Sequence, residues 1–262
     1  MSVMTKGCEV TLDDVRRALG TVLDPELDEP ITDLGFVRSA EVGEGTAVVH
    51  LRLPTSFCSP SFAYLMASDA KDALVALDGV ERVVVELDDH HDSALINAGL
   101  AADAGYVGTF GHEAEESLEG LRSVFRRKAH TAASERSLAE LLRAEPSLRE
   151  GDVGRVRLGD LPPGRTTDAL RRRRESLGLS LDDDALVLVD HEGRGYAPDA
   201  VPMALRRARA TRVSIDGNAH FCRGLLRTRY DGSGADQTPR LDGAEPGDHH
   251  HLIPLTVKET TR

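Results

Sequence analysis

A chain of 262 residues with 40% hydrophobic content can hold one large domain or two small ones, but 4% aromatics and no Trp make any core aliphatic. The net charge of −12 excludes a general nucleic-acid binder, which needs a basic face to neutralise phosphates. That charge is divided, −16 over residues 1–120 against +7 over 121–230, so an acidic front and a basic middle are expected to be physically distinct.

Thr11-Leu12-Asp13-Asp14 reads as a helix start, with Thr11 as cap and two acids at the positive helix end. Leu12, Val15, Leu19, Val22 and Leu23 form its apolar stripe, and Asp24-Pro25 ends it. A strand is predicted over 36–42, a turn at Gly43-Glu44-Gly45, and a second strand in which Ala47, Val49, Leu51 and Leu53 alternate inward. A helix follows over about 59–77, stopped by Asp78-Gly79, and Val83, Val85 and Leu87 make one face of a third strand. The order α-β-β-α-β is a small α+β domain.

Asp88 to Asp92 is a polar break. A helix around 93–103, a glycine-rich connector (Gly105, Gly108, Gly111) and a long helix over 113–144 read as an extension across the first unit or a partner. The segment 151–230 reads as a second small α/β unit. Its strand candidates are Val153–Leu158, Ala185–Val189 and Arg212–Ile215, and its helices 167–177 and 202–210. After Tyr230 the Gly, Pro and Asp content predicts disorder. The expected division is therefore 1–92, 93–146, 147–230 and a tail, 231–262.

Three widely spaced cysteines, Cys8, Cys58 and Cys222, make neither a disulfide framework nor a CxxC zinc pattern, and reduced thiols in a cytoplasmic protein are the simplest reading. No apolar run follows Met1, so no signal peptide is expected, and no stretch approaches the roughly 20 apolar residues of a membrane span.

Two motifs carry the chemistry. Asp24-Pro25-Glu26 and Ile31-Thr32-Asp33-Leu34-Gly35 crowd carboxylates into one loop, and Thr55-Ser56-Phe57-Cys58 places a thiol at a strand-to-helix junction. A thiol at a helix N-terminus tends toward thiolate, which is both a nucleophile and a soft-metal ligand. The competing reading makes Cys58 a small buried apolar residue. For Asp24 and Asp33 the plain reading is turn capping through side-chain to backbone bonds, and Thr55 is placed to hydrogen-bond within its own loop.

These motifs, followed by Gly79-Val80 and a valine-rich strand, resemble the PaaD/SufT-like iron–sulfur assembly family over roughly residues 11–90. One departure is that Ser59 stands between Cys58 and Pro60, where the family pattern has Pro directly after the cysteine. The resemblance implies a small α+β fold, Cys58 as the functional thiol, and a role in maturing iron–sulfur or other iron centres. Asp24, Glu26, Asp33, Gly35 and Thr55 would shape the site. Cluster ligation takes four ligands, so one thiol implies a transient cluster or iron, shared with a partner or a second copy. The implied partners are a client apo-metalloprotein and iron–sulfur assembly proteins. The pattern from Asn97-Ala98-Gly99 to Arg126-Arg127-Lys128 resembles actinobacterial relatives linked to di-iron monooxygenases.

Other groups rank lower. His90 and His91, within Asp88–Asp92, are further metal candidates, although adjacent residues rarely point at one ion; His220-x-Cys222 and the His249–His251 run are weaker still. Arg171–Arg174 reads as a solvated helix face, or as a docking patch for an acidic partner such as the chain's own front. Phosphate-loop and nucleophile-elbow motifs are both missing. The rival functions are a scaffold that binds no metal and a thiol enzyme pairing Cys58 with His50 or His90.

Overall fold

The alternation of Ala47, Val49 and Leu51 produces the middle strand of a three-stranded sheet. The computed structural model describes residues 10–111 and 118–238. In it β1 (Val37–Gly43) and β2 (Thr46–Arg52) pair antiparallel, and β3 (Arg82–Asp88) joins β2 in parallel, giving the order β1-β2-β3. The parallel pair needs a crossover, and α2 (Pro60–Val75) supplies it.

Helix α1 (Leu12–Leu19) starts where expected, on a reciprocal cap. Thr11 N–H donates to Asp14 Oδ2 at 3.0 Å, and Asp14 N–H donates to Thr11 Oγ1 at 3.2 Å. Val15, Leu19, Ile31, Leu34, Val49, Ala67 and Leu74 are fully buried between α1, α2 and the sheet. Each such Val, Leu or Ile side chain contributes roughly 1.5–3 kcal/mol. Helix α3 (Ser93–Ala101) is tied to β3 by Asn97, whose Oδ1 accepts from Leu87 N at 2.8 Å and whose Nδ2 donates to Leu87 O at 3.2 Å.

The glycine-rich connector is instead a short helix, α4 (Gly105–Phe110). Gly99 lets it lie close: a Cβ there would stand 2.1 Å from Thr109 Oγ1. Helices α5 (Leu118–Ala144), α6 (Arg165–Ser176) and α7 (Val201–Arg229) then form a bundle with its own core, Leu138, Val153, Leu158, Leu170, Val187 and Leu205.

This bundle corrects the expected second α/β unit, because it contains no sheet. Arg212–Ile215, expected as a strand, lies inside the 29-residue α7. Val201, Ala204, Leu205, Ala208, Ile215, Ala219 and Leu226 recur there at helical spacing, a stripe too long to see in a four-residue window. Arg212 also joins an ion network at the α5–α7 contact. It binds Glu135, which is 1% exposed, and Asp216 at 3.0 Å, while Arg136 meets Asp216 at 2.6 Å.

Val187–Val189 is buried, but the segment 185–189 makes only isolated bridges. Val187 N–H donates to Val156 O at 2.9 Å, and 3-10 turns at Glu150–Arg155 and Leu158–Asp160 use up the partner segment. A side chain takes the place of a second strand: Arg174 Nη1 donates to Leu186 O at 2.9 Å. Arg174 is 2% exposed, so the Arg171–Arg174 run is not one solvated face; only Arg172 among the four is exposed. Nor does order stop at Tyr230. A 3-10 turn at Ser233–Asp236 buries Ser233, and Asp236 pairs with Arg52 at 2.5 Å. The His249–His251 run and Cys8 lie outside the described residues.

Candidate functional site

The acidic loop between α1 and β1 is folded back on itself. Asp24 N–H donates to Glu29 O and Asp28 N–H to Asp24 O, both at 2.9 Å. Asp24 Oδ1 accepts the N–H groups of Glu26 and Leu27, each at 2.8 Å, which realises the expected turn cap. Burial pushes the Asp24 carboxyl up to about 7, against the pull of those two N–H donors. Asp33 does less than its sequence position suggests. The turn closes through backbone bonds, Leu34 N to Pro30 O and Gly35 N to Thr32 O at 3.1 Å, while Asp33 Oδ1 only meets the Thr32 hydroxyl at 3.3 Å. Burial raises its pKa as well. Gly35 adopts φ +76°, the left-handed region, and sits against Gln237 and Leu226.

The Cys58 loop leaves the end of β2. Phe57 N–H donates to Thr55 Oγ1 at 3.2 Å, and Thr55 Oγ1 lies 3.5 Å from Cys58 Sγ. Cys58 is half-buried, one residue before the N-cap Ser59, and Pro60 occupies the first helical turn. Ser59 therefore displaces the thiol one position outward from the helix cap.

His90 fixes this loop from beneath. It is 6% exposed, its Nε2 donates to Cys58 O at 2.8 Å, and its Nδ1 accepts from Asp92 N–H at 3.1 Å. Both ring nitrogens are thus used by the backbone, consistent with a neutral ring protonated at Nε2. Neighbouring polar residues face elsewhere. Asp88 binds Arg38 at 2.8 Å and His50 Nδ1 at 3.1 Å, Asp89 Oδ2 accepts from Tyr230 at 3.2 Å, and exposed His91 stacks near Phe57 at 5.8 Å. Asp88 to Asp92 is not gathered on one ion. His50 and His90 are likewise held by Asp88 and by the Cys58 carbonyl, rather than aimed at the thiol.

The residues that sequence reasoning missed lie on α7. Asn218 Nδ2 donates to Glu26 Oε1 at 3.2 Å, and Arg223 Nη1 meets Glu29 Oε1 at 3.2 Å. At the far end Arg229 donates to Leu53 O at 3.0 Å, to Ser56 Oγ at 2.8 Å and to Asp89 O. From α6, Arg173 pairs with the buried Asp28 at 2.6 Å. The basic middle therefore docks on the chain's own acidic front. Cys222, on α7, packs against the core, and burial first, then the charges of Asp24, Cys58 and Glu26, push its thiol up to about 12. His220, two residues earlier, is exposed on another side of the helix, so His220 and Cys222 do not converge. The signal available in the sequence was the 218/222/226/229 spacing.

The model of the iron–sulfur cluster assembly protein family matches residues 12–87, from α1 to the end of β3. An uncharacterized protein of Methanocaldococcus jannaschii is 39% identical over 82 residues, 31% of this chain and 84% of that protein. The chain belongs to the iron–sulfur cluster assembly family. No solved structure matches it.

The family match stops within β3, and α3 to α7 lie outside it. Among the described residues no three His, Cys, Asp or Glu side chains are arranged to hold a metal ion. What the domain presents is the half-buried Cys58 thiol, in a loop held by Thr55 and by His90. A single thiol leaves most of the four ligands of a cluster to be supplied from elsewhere. No helix among the described residues is long and apolar enough to cross a membrane.

Proposed function

We propose that the protein is an accessory factor that engages iron or an iron–sulfur cluster at Cys58 and helps insert it into a client metalloenzyme. The observation that carries this reading is the Cys58 loop of a family assembly domain. Its thiol is half-exposed, hydrogen-bonded by Thr55 and anchored by His90 through the backbone, not consumed by the fold. A single loop thiol suits transfer better than storage, because incomplete ligation lets a client with more ligands take the cargo.

The extension acts in client choice. It covers the acidic loop with Arg173, Asn218 and Arg223 and leaves Phe57, 82% exposed, beside the thiol as a contact for a partner. A di-iron monooxygenase is the client class we favour, with a cytoplasmic site of action and the general assembly proteins as donors.

The test is anaerobic reconstitution with iron and sulfide, the full chain against Cys58→Ser, followed by absorbance spectroscopy and activation of the apo-metalloenzyme. Loss of both signals in Cys58→Ser is expected. Full activation by Cys58→Ser rejects the thiol as the carrier.

A further inference from the structure

We infer that the cavity between the acidic loop and helices α2, α5 and α6 is a binding site for a small organic anion, an apolar body carrying one carboxylate or phosphate head. Cys58 is not among the residues that line it, so the inference stands apart from the proposed function.

The cavity holds about 620 Å³, within the roughly 300–1,000 Å³ of small-molecule sites. Both parts of the chain build it. The family domain supplies residues between Gly20 and Pro30 and, from α2, Leu65 and Asp69. The extension supplies one face of α5, where Arg122, Phe125, Arg126 and Ala129 recur at helical spacing, and from α6 Arg172, Arg173 and Ser176. Leu23, Leu65 and Phe125 give the cavity its apolar wall. Leu23 is 41% exposed, an apolar side chain with room beside it.

The charges of the lining do not balance. It carries four arginines and three aspartates. Two pairs cancel, because Arg122 donates to Asp69 at 2.7 Å and Arg173 binds Asp28 at 2.6 Å. Asp24, Arg126 and Arg172 remain. Asp24 uses Oδ1 to cap its own loop, and burial favours its protonated form. Arg126 meets Glu119 at 3.0 Å in an exposed pair, a contact that contributes little and is readily exchanged. Arg172 is decisive. In the Arg171–Arg174 run, Arg171 binds Asp183 and Leu181 O, Arg173 binds Asp28, and Arg174 donates to Ser180 O and Leu186 O. Arg172 alone of the four makes no hydrogen bond or ion pair among the described residues. The one unbonded guanidinium of the run therefore stands at the cavity.

The ligand class follows from these walls. The planar fork of an arginine matches a carboxylate or a phosphate. A bare inorganic ion would leave the apolar wall uncovered, and a neutral ligand would leave Arg172 without a partner. A ligand that touches both parts of the chain also holds the extension onto the family domain, and by linkage a docked extension holds the ligand.

The test is isothermal calorimetry on the full chain with octanoate, octyl phosphate, 1-octanol and inorganic phosphate as separate probes. Octanoate or octyl phosphate is expected to bind at one per chain with a Kd below about 1 mM, the tighter of the two identifying the head group. Arg172→Ala, whose stability in urea should match the wild type, should weaken that probe about tenfold or more. Arg206→Ala, which removes an exposed arginine of α7 outside the lining, should leave it unchanged. No binding of either amphiphile at about 1 mM overturns the site, as does an affinity unchanged in Arg172→Ala. An equal loss in Arg206→Ala would mean general attraction to a basic surface and overturns it too. So does 1-octanol binding as tightly as the anions, or inorganic phosphate binding as tightly as octyl phosphate.

Discussion

Asp24 and His130 titrate in the same pH range with opposite effects on stability, and this makes Asp24→Asn a sharp experiment. Burial lifts Asp24 from 3.8 to about 7. Between those values the folded chain holds a proton that the unfolded chain has released, so stability falls as pH rises and the full penalty applies above pH 7. Roughly three pKa steps amount to about 4 kcal/mol. His130, 2% exposed on α5 with Nε2 unpartnered among the described residues, is pushed from 6.5 down to about 4 by burial and then by Arg174 and Arg173. There the unfolded chain takes the proton first. His130 is neutral at no cost above pH 6.5, and stability is lost as pH falls from 6.5 to 4, by about 3 kcal/mol. The wild-type contributions of these two groups nearly cancel between pH 4 and 6.5. Asparagine keeps the Oδ1 acceptor for Glu26 and Leu27 and matches the shape of the protonated acid, so Asp24→Asn removes one slope and exposes the other. Urea unfolding at half-unit pH steps should show Asp24→Asn equal to wild type near pH 4 and about 4 kcal/mol more stable at pH 8. At roughly 2–4 °C per kcal/mol, the melting temperature at pH 8 should rise by about 8–16 °C. Curves for the two proteins that run parallel from pH 4 to 8 would refute the buried, proton-holding Asp24.

Further outcomes follow from the contacts of the extension. Arg174→Met removes the donors to Ser180 O and Leu186 O and should cost about 3 kcal/mol in urea unfolding, whereas exposed Arg172→Ala should stay within about 0.5 kcal/mol. Gly35→Ala forces a Cβ to φ +76° and to 3.0 Å from Gln237 Cγ. We expect a loss of about 2–3 kcal/mol and earlier proteolytic release of residues 230–238. Arg229→Ala deletes three bonds from α7 to the cysteine loop and its neighbour, so alkylation of Cys58, followed on its tryptic peptide, should speed up about tenfold or more. An unchanged alkylation rate would mean that α7 does not limit access to the thiol.

The assembly domain is legible in the sequence because its signals are local. Thr11 with Asp14 starts α1, alternation marks β2, Pro60 opens α2, and Asp24 caps its own loop two and three residues on. The extension is not, because its order is built from distant partners. Ala185–Val189 has strand composition, but strands need a neighbour, and Arg174 fills that place with a side chain. Arg212–Ile215 is β-branched, yet the buried stripe of α7 and the Glu135 network hold it helical. At the site, Thr55 and Cys58 are readable as a loop motif. Arg229 is not, since only the approach of a helix 173 residues later along the chain makes it a neighbour of Ser56. The residues bound to the acidic loop, Arg173, Asn218 and Arg223, are invisible for the same reason, although the opposed charges of the two halves announce that something of the kind exists.

The distance along the chain between Glu29 and Arg223, 194 residues, has a consequence in time. Ribosomes add roughly 5–20 residues per second, so about 7–28 s separate the emergence of β3 from that of the end of α7. Small domains fold in a second or less. For most of that interval the nascent assembly domain can be complete, with Cys58 bare and its acidic loop unclaimed. Whatever loads this protein during synthesis meets a surface that the finished molecule keeps for itself.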